Sequence, residues 1–387
     1  MLIDKAKRKW GSKMNARHDK KVIRRGKRIM SILLSVILTI LLVPTIILFI
    51  LSPGKIKQFT DDSGNVIKNS IAEKNFVEIN GVRMGMIIKS KDISNPVLLF
   101  VHGGPGMPEY FLTEDYPTGL EDYFTVVWWD QRGAGLSYSS DIDKKTMNYN
   151  QFIEDTIAIT NYLRERFGQD KIYLMSHSFG TSLGIKVAQE APDLYKAYIG
   201  IAQITCQPES EKLAYEYMLD YYEEIGDKKT LRKLRKTSYD SKEYGRIRDS
   251  VMHKAGIGTA HNMTSVVKDI FFRSLANKEY TIAEKINLWK GKIFSGSSSI
   301  KDEENLIDFR KEILSLDVPV YFLSGKYDYT VNYKMTEEYL KSLKAPIKGF
   351  YLFENSAHSP IFEEPEKVAD IIQYDVLKGT NTLATIK

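Results

Sequence analysis

Residues 29–51 carry no charged side chain and are dominated by Ile, Leu and Val, a run of twenty-three residues. A helix of that length crosses a bilayer with some tilt, and Pro44 inside it is tolerable because neighbouring groups re-satisfy the freed backbone. After a polar stretch at 55–70 the pattern changes to strands. Residues 75–79 and 82–88 flank Asn80-Gly81, the strongest short hairpin signal, so two antiparallel strands are expected first. Residues 96–101 (PVLLFV) and 124–129 (FTVVWW) are continuous apolar runs, as expected of parallel strands covered on both faces. Over 151–167 the apolar positions Ile153, Ile157, Ile159, Tyr162, Leu163 and Phe167 fall near the helical period. Residues 172–175 (IYLM) read as another buried strand, followed at once by Ser176-His177-Ser178-Phe179-Gly180 and then by helix-compatible residues. Strands are predicted again at 318–325 and 349–353, and a helix over 363–377 closes the chain.

Strands alternating with helices imply an α/β fold with right-handed crossovers. Between 201 and 314 lies an insertion too long for a crossover. It is rich in Tyr, Lys and Glu, with helical stretches at 209–225 and 229–235 and a flexible-looking serine and glycine loop at 295–299. Its aromatics, among them Tyr215, Tyr217, Tyr221, Tyr222, Phe271, Phe272 and Trp289, suit either an apolar pocket or the insertion's own core.

The net charge of +6 is unevenly spread. Residues 1–28 hold twelve Lys/Arg against Asp4 and Asp19, so the remainder carries 43 basic and 47 acidic side chains, a net of −4. A mildly acidic body argues against a nucleic-acid partner. Basic residues such as Lys20, Lys21 and the run from Arg24 to Arg28 precede the apolar stretch, which predicts a cytoplasmic N-terminus and a body outside the membrane. The apolar stretch ends in Ser52-Pro53-Gly54-Lys55 without a small-residue cleavage site, so it reads as an uncleaved signal anchor. Cys206 is the single cysteine, which excludes an intramolecular disulfide.

Three stretches carry the candidate chemistry. The turn centred on Ser178 has small residues two before and two after, Ser176 and Gly180, as a tight strand-to-helix elbow requires. His102-Gly103-Gly104-Pro105-Gly106 leaves backbone N–H groups uncovered, as an oxyanion hole demands. Asp130-Gln131-Arg132-Gly133-Ala134-Gly135-Leu136-Ser137 follows the second buried strand as a charged, glycine-punctuated loop. Taken singly, each is as readily a plain turn or helix cap.

Together they resemble the α/β-hydrolase fold, and HGGPG followed by DQRGAGLS looks like its proline iminopeptidase branch. Ser176 departs from the usual G-x-S-x-G elbow. The resemblance implies a mostly parallel eight-stranded sheet flanked by helices with an inserted helical lid. The expected organisation is a basic tail over 1–28, a transmembrane anchor over 29–51, a stalk over 52–70, a hydrolase core over 71–205 and 313–387, and a lid over 206–312. It also implies the chain order Ser, acid, His. Asp328 and His358 each follow a predicted late strand and sit where acid and base belong. A serine hydroxyl needs an imidazole to take its proton, and the imidazole needs a carboxylate to fix its tautomer. Ser178 is then the nucleophile, His358 the base and Asp328 its orienter, with the N–H groups of Gly104 and Phe179 as oxyanion donors. His102 and Gly103 are placed at the substrate. The family's use of lid acids to hold a free amino terminus puts forward Glu209, Glu211 and Glu216. His253 and His261 lack metal-ligand spacing, so neither a metal nor another cofactor is expected.

The expected function is a membrane-anchored serine aminopeptidase acting on short peptides. An ester hydrolase on the same parts and a non-catalytic surface binding protein are the alternatives; the sequence leaves the oligomeric state open.

Overall fold

A computed structural model describes residues 2–387, with side chains for Trp10, Arg25 and residues 27–387. Asp4, Asp19, Lys20, Lys21 and Arg24 lie outside the described side chains. The chain divides into two compact units, Met1–Pro53 and Gly54–Lys387.

The first unit is helix α1, Leu2–Ile50, which continues the apolar run backwards through the basic tail. Its stretch Lys27–Ile50, 24 residues, is long and apolar enough to cross a membrane, a test of length and composition that a signal sequence near the N-terminus also passes.

The second unit is built on eight strands: β1 Ile71–Ile79, β2 Val82–Ser90, β3 Val97–Val101, β4 Thr125–Trp129, β5 Ile172–His177, β6 Tyr195–Ile201, β7 Val320–Gly325 and β8 Lys348–Phe353. Their order across the sheet is β1-β2-β4-β3-β5-β6-β7-β8. β1 and β2 form the expected hairpin, with Asn80 and Gly81 both at positive φ as its turn requires. β2 also pairs antiparallel with β4, and every later pairing is parallel. The continuous apolar runs follow from burial on both faces. Leu99 and Val101 of β3 join one core cluster, whereas Leu98 and Phe100 join the other. β6 escaped the sequence reading because Lys196 and Gly200 interrupt its run.

The core helices are α2 Tyr149–Phe167 and α3 Phe179–Glu190. Between β6 and β7 come α4 Gln207–Glu224, α5 Lys228–Leu234, α6 Lys242–Lys254, α7 Phe272–Ala276, α8 Ile282–Gly296, α9 Ile300–Glu304 and α10 Phe309–Glu312. α11 Tyr333–Ser342 follows β7. The closing helix predicted over 363–377 is present as α13 Pro365–Ile371, continued by a π-helical turn Ile372–Val376; the short α12 Pro360–Glu363 precedes it and stays separate because Pro365 cannot continue its turn. Of residues 295–299 only Ser297 to Ser299 form a loop, joining α8 to α9; α8 runs through Gly296, and Ser295 is buried. The tyrosines of α4 pack with Met218, Leu234 and Met252 in a third cluster, so the insertion has a core of its own. Of the stretch 52–70 expected as a stalk, residues 54–70 are held to the folded unit; Gly54 N–H donates to the Lys278 carbonyl at 3.1 Å and Lys57 N–H to Glu279 Oε1 at 2.6 Å.

The arginine of the charged loop ties the sheet edge to α2. Arg132 is buried and bidentate on Asp155 at 2.7 and 2.9 Å, and its second terminal nitrogen also donates to the Asn80 carbonyl in the hairpin turn. Removing one member of such a pair strands a buried charge. Asp155→Ala should therefore cost about 3–5 kcal/mol, read as a lowered urea midpoint with an unchanged m-value.

Candidate active site

Ser178 follows β5 directly and caps α3 with φ 53° and ψ −127°, backbone that an L-residue adopts only when its surroundings force it. The force is close packing. A Cβ on Gly180 would lie 2.2 Å from the Val101 carbonyl oxygen, and a Cβ on Gly103 would lie 2.8 Å from Ser178 Cβ. The strand ends, the HGGPG loop and the first turn of α3 thus press together, leaving the serine at the tip.

Asp328 and His358 meet across the loops after β7 and β8. Asp328 is fully buried; its Oδ1 accepts from Val331 N–H at 2.9 Å and its Oδ2 pairs with His358 Nδ1 at 2.9 Å. This leaves His358 Nε2 as the ring nitrogen turned away from the acid, and Ser178 and His358 line one cavity. The two loops are pinned by Lys326 N–H to the Phe353 carbonyl at 2.9 Å and Tyr327 N–H to the Ser356 carbonyl at 3.0 Å. Gly325 makes that approach possible, since a Cβ there would lie 1.9 Å from the Ala357 carbonyl oxygen. Gly325→Ala must push the loops apart and should lower turnover about 10²-fold by misplacing the Asp328–His358 pair, with a melting temperature reduced by several degrees.

Gly104 and Phe179 both line the space beside Ser178. Phe179 is the first residue of α3, so its N–H has no intrahelical acceptor; among the described residues neither it nor the Gly104 N–H donates to a protein acceptor. Two cavities meet at the serine, of about 170 and 420 Å³, and share Gly104, Ser178, Arg248 and Thr330 in their walls.

The other expected site residues divide. Glu211 lines the larger cavity, where its Oε1 accepts from Tyr244 Oη at 2.8 Å and Arg248 Nε at 2.6 Å. Glu209 and Glu216 line neither cavity. They lie about 200° and 140° around α4 from Glu211, and they pair instead with Arg310 at 2.6 Å and Lys212 at 3.8 Å. His102 and Gly103 do not reach the cavities either. His102 Nδ1 donates to the Gly103 carbonyl at 2.8 Å and Nε2 accepts from Gln131 N–H at 3.1 Å, so the ring is a strut between two loops. Burial lowers its pKa to about 4 and keeps it neutral.

The residue that sequence reading overlooked is Glu109, third after HGGPG. Its Oε1 accepts from His177 Nδ1 at 2.7 Å and from Gly103 N–H at 3.3 Å, while its buried Oε2 has no partner among the described residues and the side chain lines the smaller cavity beside Ser178 and His358. An acid immediately after the oxyanion loop was the available signal. His177 Nε2 donates to the His358 carbonyl at 2.8 Å, so the ring faces acceptors on both sides. Burial opposes a charge on His177, but the Glu109 carboxylate and these hydrogen bonds outweigh it and raise the pKa above 6.5. For Glu109, burial is likewise outweighed by the His177 charge and its hydrogen bond, and the pKa falls below 4.5. The pair's contribution to stability is full below the unfolded histidine value of 6.5 and is lost as pH rises through the raised folded value; on the acid side it is lost as pH falls from 4.5 through the lowered carboxyl value. Melting temperature should therefore decline on the alkaline side of 6.5 more steeply in the native chain than in His177→Asn, and parallel curves would deny the charged pair.

Residues 96–365 match the model of the alpha/beta hydrolase fold family. The chain belongs to this family. The hydrolase is 35% identical to the probable aminopeptidase YbaC of Bacillus subtilis (strain 168), over 79% of its own length and 96% of that protein. It is 28% identical to a proline iminopeptidase of Saccharolobus solfataricus, over 78% and 91% of the two chains. Among solved structures, the proline iminopeptidase of Mycobacterium smegmatis superposes with a TM-score of 0.55 at 15% identity, covering 79% of the hydrolase and 98% of that chain, a likeness of fold. The hydrolase is thus an enzyme whose relatives are named as aminopeptidases.

Proposed function

We propose that this hydrolase is a membrane-anchored serine aminopeptidase of proline iminopeptidase type, releasing a small N-terminal residue from short peptides. The observation that carries the reading is the unpartnered Oε2 of Glu109 in the wall of the cavity that also holds Ser178 and His358. A buried carboxylate with a free oxygen discriminates strongly for a cation, here a substrate's terminal ammonium, and against an uncharged ester. At about 170 Å³ the cavity holds one small residue, since each water in the liquid takes about 30 Å³.

Ser178 Oγ attacks the carbonyl carbon of the first residue as its proton passes to His358 Nε2, with Asp328 fixing the ring through Nδ1. The N–H groups of Gly104 and Phe179 receive the oxyanion, each worth about 3 kcal/mol. His358 then gives the proton to the departing peptide amine, which leaves an acyl-enzyme on Ser178. Water attacks the ester, its proton returns through His358 to Ser178, and the free amino acid is released. The larger cavity on the other side of Ser178 takes the leaving peptide, and the helices between β6 and β7, residues 206–312, act as the lid over both. Lys27–Ile50 is the anchor, with the tail cytoplasmic and the enzyme outside.

A panel of Pro-, Ala- and Leu-arylamides beside their N-acetylated forms and p-nitrophenyl esters tests the activity. Arylamide hydrolysis confined to the free-amine forms is expected, beside a basal cleavage of the activated p-nitrophenyl esters; equal hydrolysis of the acetylated arylamides would replace the aminopeptidase reading by a general esterase or amidase.

A further inference from the structure

We propose that the segment from Val267 to Ile293 is a second membrane contact, docking the folded unit against an anionic bilayer surface. The inference rests on the anchored reading above and adds to it.

The first observation is where the chain enters the fold. Gly54 is fixed between Lys278, whose carbonyl takes its N–H at 3.1 Å, and Thr281, whose Cγ2 would lie 2.3 Å from a Cβ at that glycine. Only Leu51, Ser52 and Pro53 separate Gly54 from the end of α1. Four peptide steps join Ile50 to Gly54, about 13–14 Å at full extension, so the tether between residues 27–50 and the folded unit is short and enters it beside Lys278 and Thr281. Those two residues sit at the junction between α7 and α8.

The second observation is what these elements expose. Val267 (58%), Phe272 (57%), Ile286 (48%) and Ile293 (72%) are large apolar side chains open to solvent. They belong to adjoining elements: the Phe271 ring packs against Phe272 at 5.4 Å and against Trp289 of α8 at 5.0 Å. Exposed apolar residues gathered in this way mark a surface that something covers.

The third is charge. Residues 267–293 hold six basic side chains and three acids in a body that is otherwise mildly acidic. All three acids are withdrawn: Asp269 and Glu279 are buried, and Glu284 is paired with Lys74 at 2.7 Å. Lys268, Lys278 and Lys290 are exposed among the apolar residues. Apolar side chains interleaved with lysines are the composition of a surface that lies in the headgroup layer of an anionic membrane, the lysines meeting phosphates while the apolar groups enter the acyl boundary. The other face of the same turns, Val266 and Ile270, forms part of the smaller cavity's wall, so docking bears on the entrance to the active site.

The test uses the full-length chain in vesicles, with Cys206→Ser and a nitroxide placed through Phe272→Cys, Ile293→Cys or, as an exposed control on α5, Lys228→Cys. In phosphatidylglycerol–phosphatidylcholine vesicles the labels at 272 and 293 should collide several-fold less with a water-soluble nickel chelate, and more with oxygen, than the control, with a smaller difference in phosphatidylcholine alone. Nickel access equal to the control in both lipids would overturn the proposal, as would the same protection in detergent accompanied by crosslinked dimers, which would assign the patch to a second copy. Carbonate extraction separates the two readings: release from the vesicles removes the anchor and the docking together, whereas retention with nickel-accessible labels removes only the docking.

Discussion

Ser178→Ala is expected to lower turnover of a free-amine arylamide by roughly 10⁴- to 10⁶-fold and to abolish labelling by a fluorophosphonate probe, with little change in folding. The size follows from the role. No other described side chain occupies the tip of the β5–α3 turn, and the groups left behind, two backbone donors and the Asp328–His358 pair, can polarise a carbonyl but cannot form an acyl-enzyme. Ser178→Gly is the informative companion. It should be equally inactive yet more stable by about 1 kcal/mol, because glycine adopts the positive φ without the strain that serine carries. Label persisting in Ser178→Ala would take the nucleophile's role away from this residue.

Glu109→Gln is expected to cut kcat/KM for Pro- and Ala-arylamides by about 10²-fold while leaving a p-nitrophenyl ester within a few-fold. A charge-assisted contact to a buried carboxylate is worth about 1.5–3 kcal/mol, or about 10- to 150-fold, and an ester without an amino group does not make it. The split between substrates separates binding from support. Glu109 also holds His177, whose other nitrogen holds the His358 carbonyl, so a purely structural role would depress amide and ester hydrolysis together. No effect on either substrate would place the amino group elsewhere, with Glu211 in the larger cavity as the remaining acid.

The legibility of this chain followed from how local each feature is. The hairpin at Asn80-Gly81, the strands at 97–101 and 125–129 and helix α2 are encoded within a few residues by turn chemistry and periodicity, and the structure has them at nearly the predicted positions. Ser178, Asp328 and His358 could be put forward because each directly follows a strand whose composition announces it. The acids of α4 could not be sorted, since a helix displays Glu209, Glu211 and Glu216 in three directions and only its packing partner selects one. His102 looked like a site residue because it begins a loop at the site; the fold turns its ring inward instead, onto Gln131.

What the sequence determined by itself is the parts: an apolar span at one end, a sheet buried on both faces, three loops with the side chains that acyl transfer needs, and an insertion rich in Tyr, Lys and Glu. Period, turn residues and charge are properties of neighbouring positions, and they survive without knowledge of the fold. The tertiary structure decided which distant groups meet. Asp328 and His358 touch because Gly325 lets two loops close, Glu109 is left with a free oxygen because His177 takes only the other one, and Lys278 stands beside the entry of the chain because an insertion folds back on it. Each is an encounter between segments far apart in the chain, set by packing, and packing is not written in any local pattern.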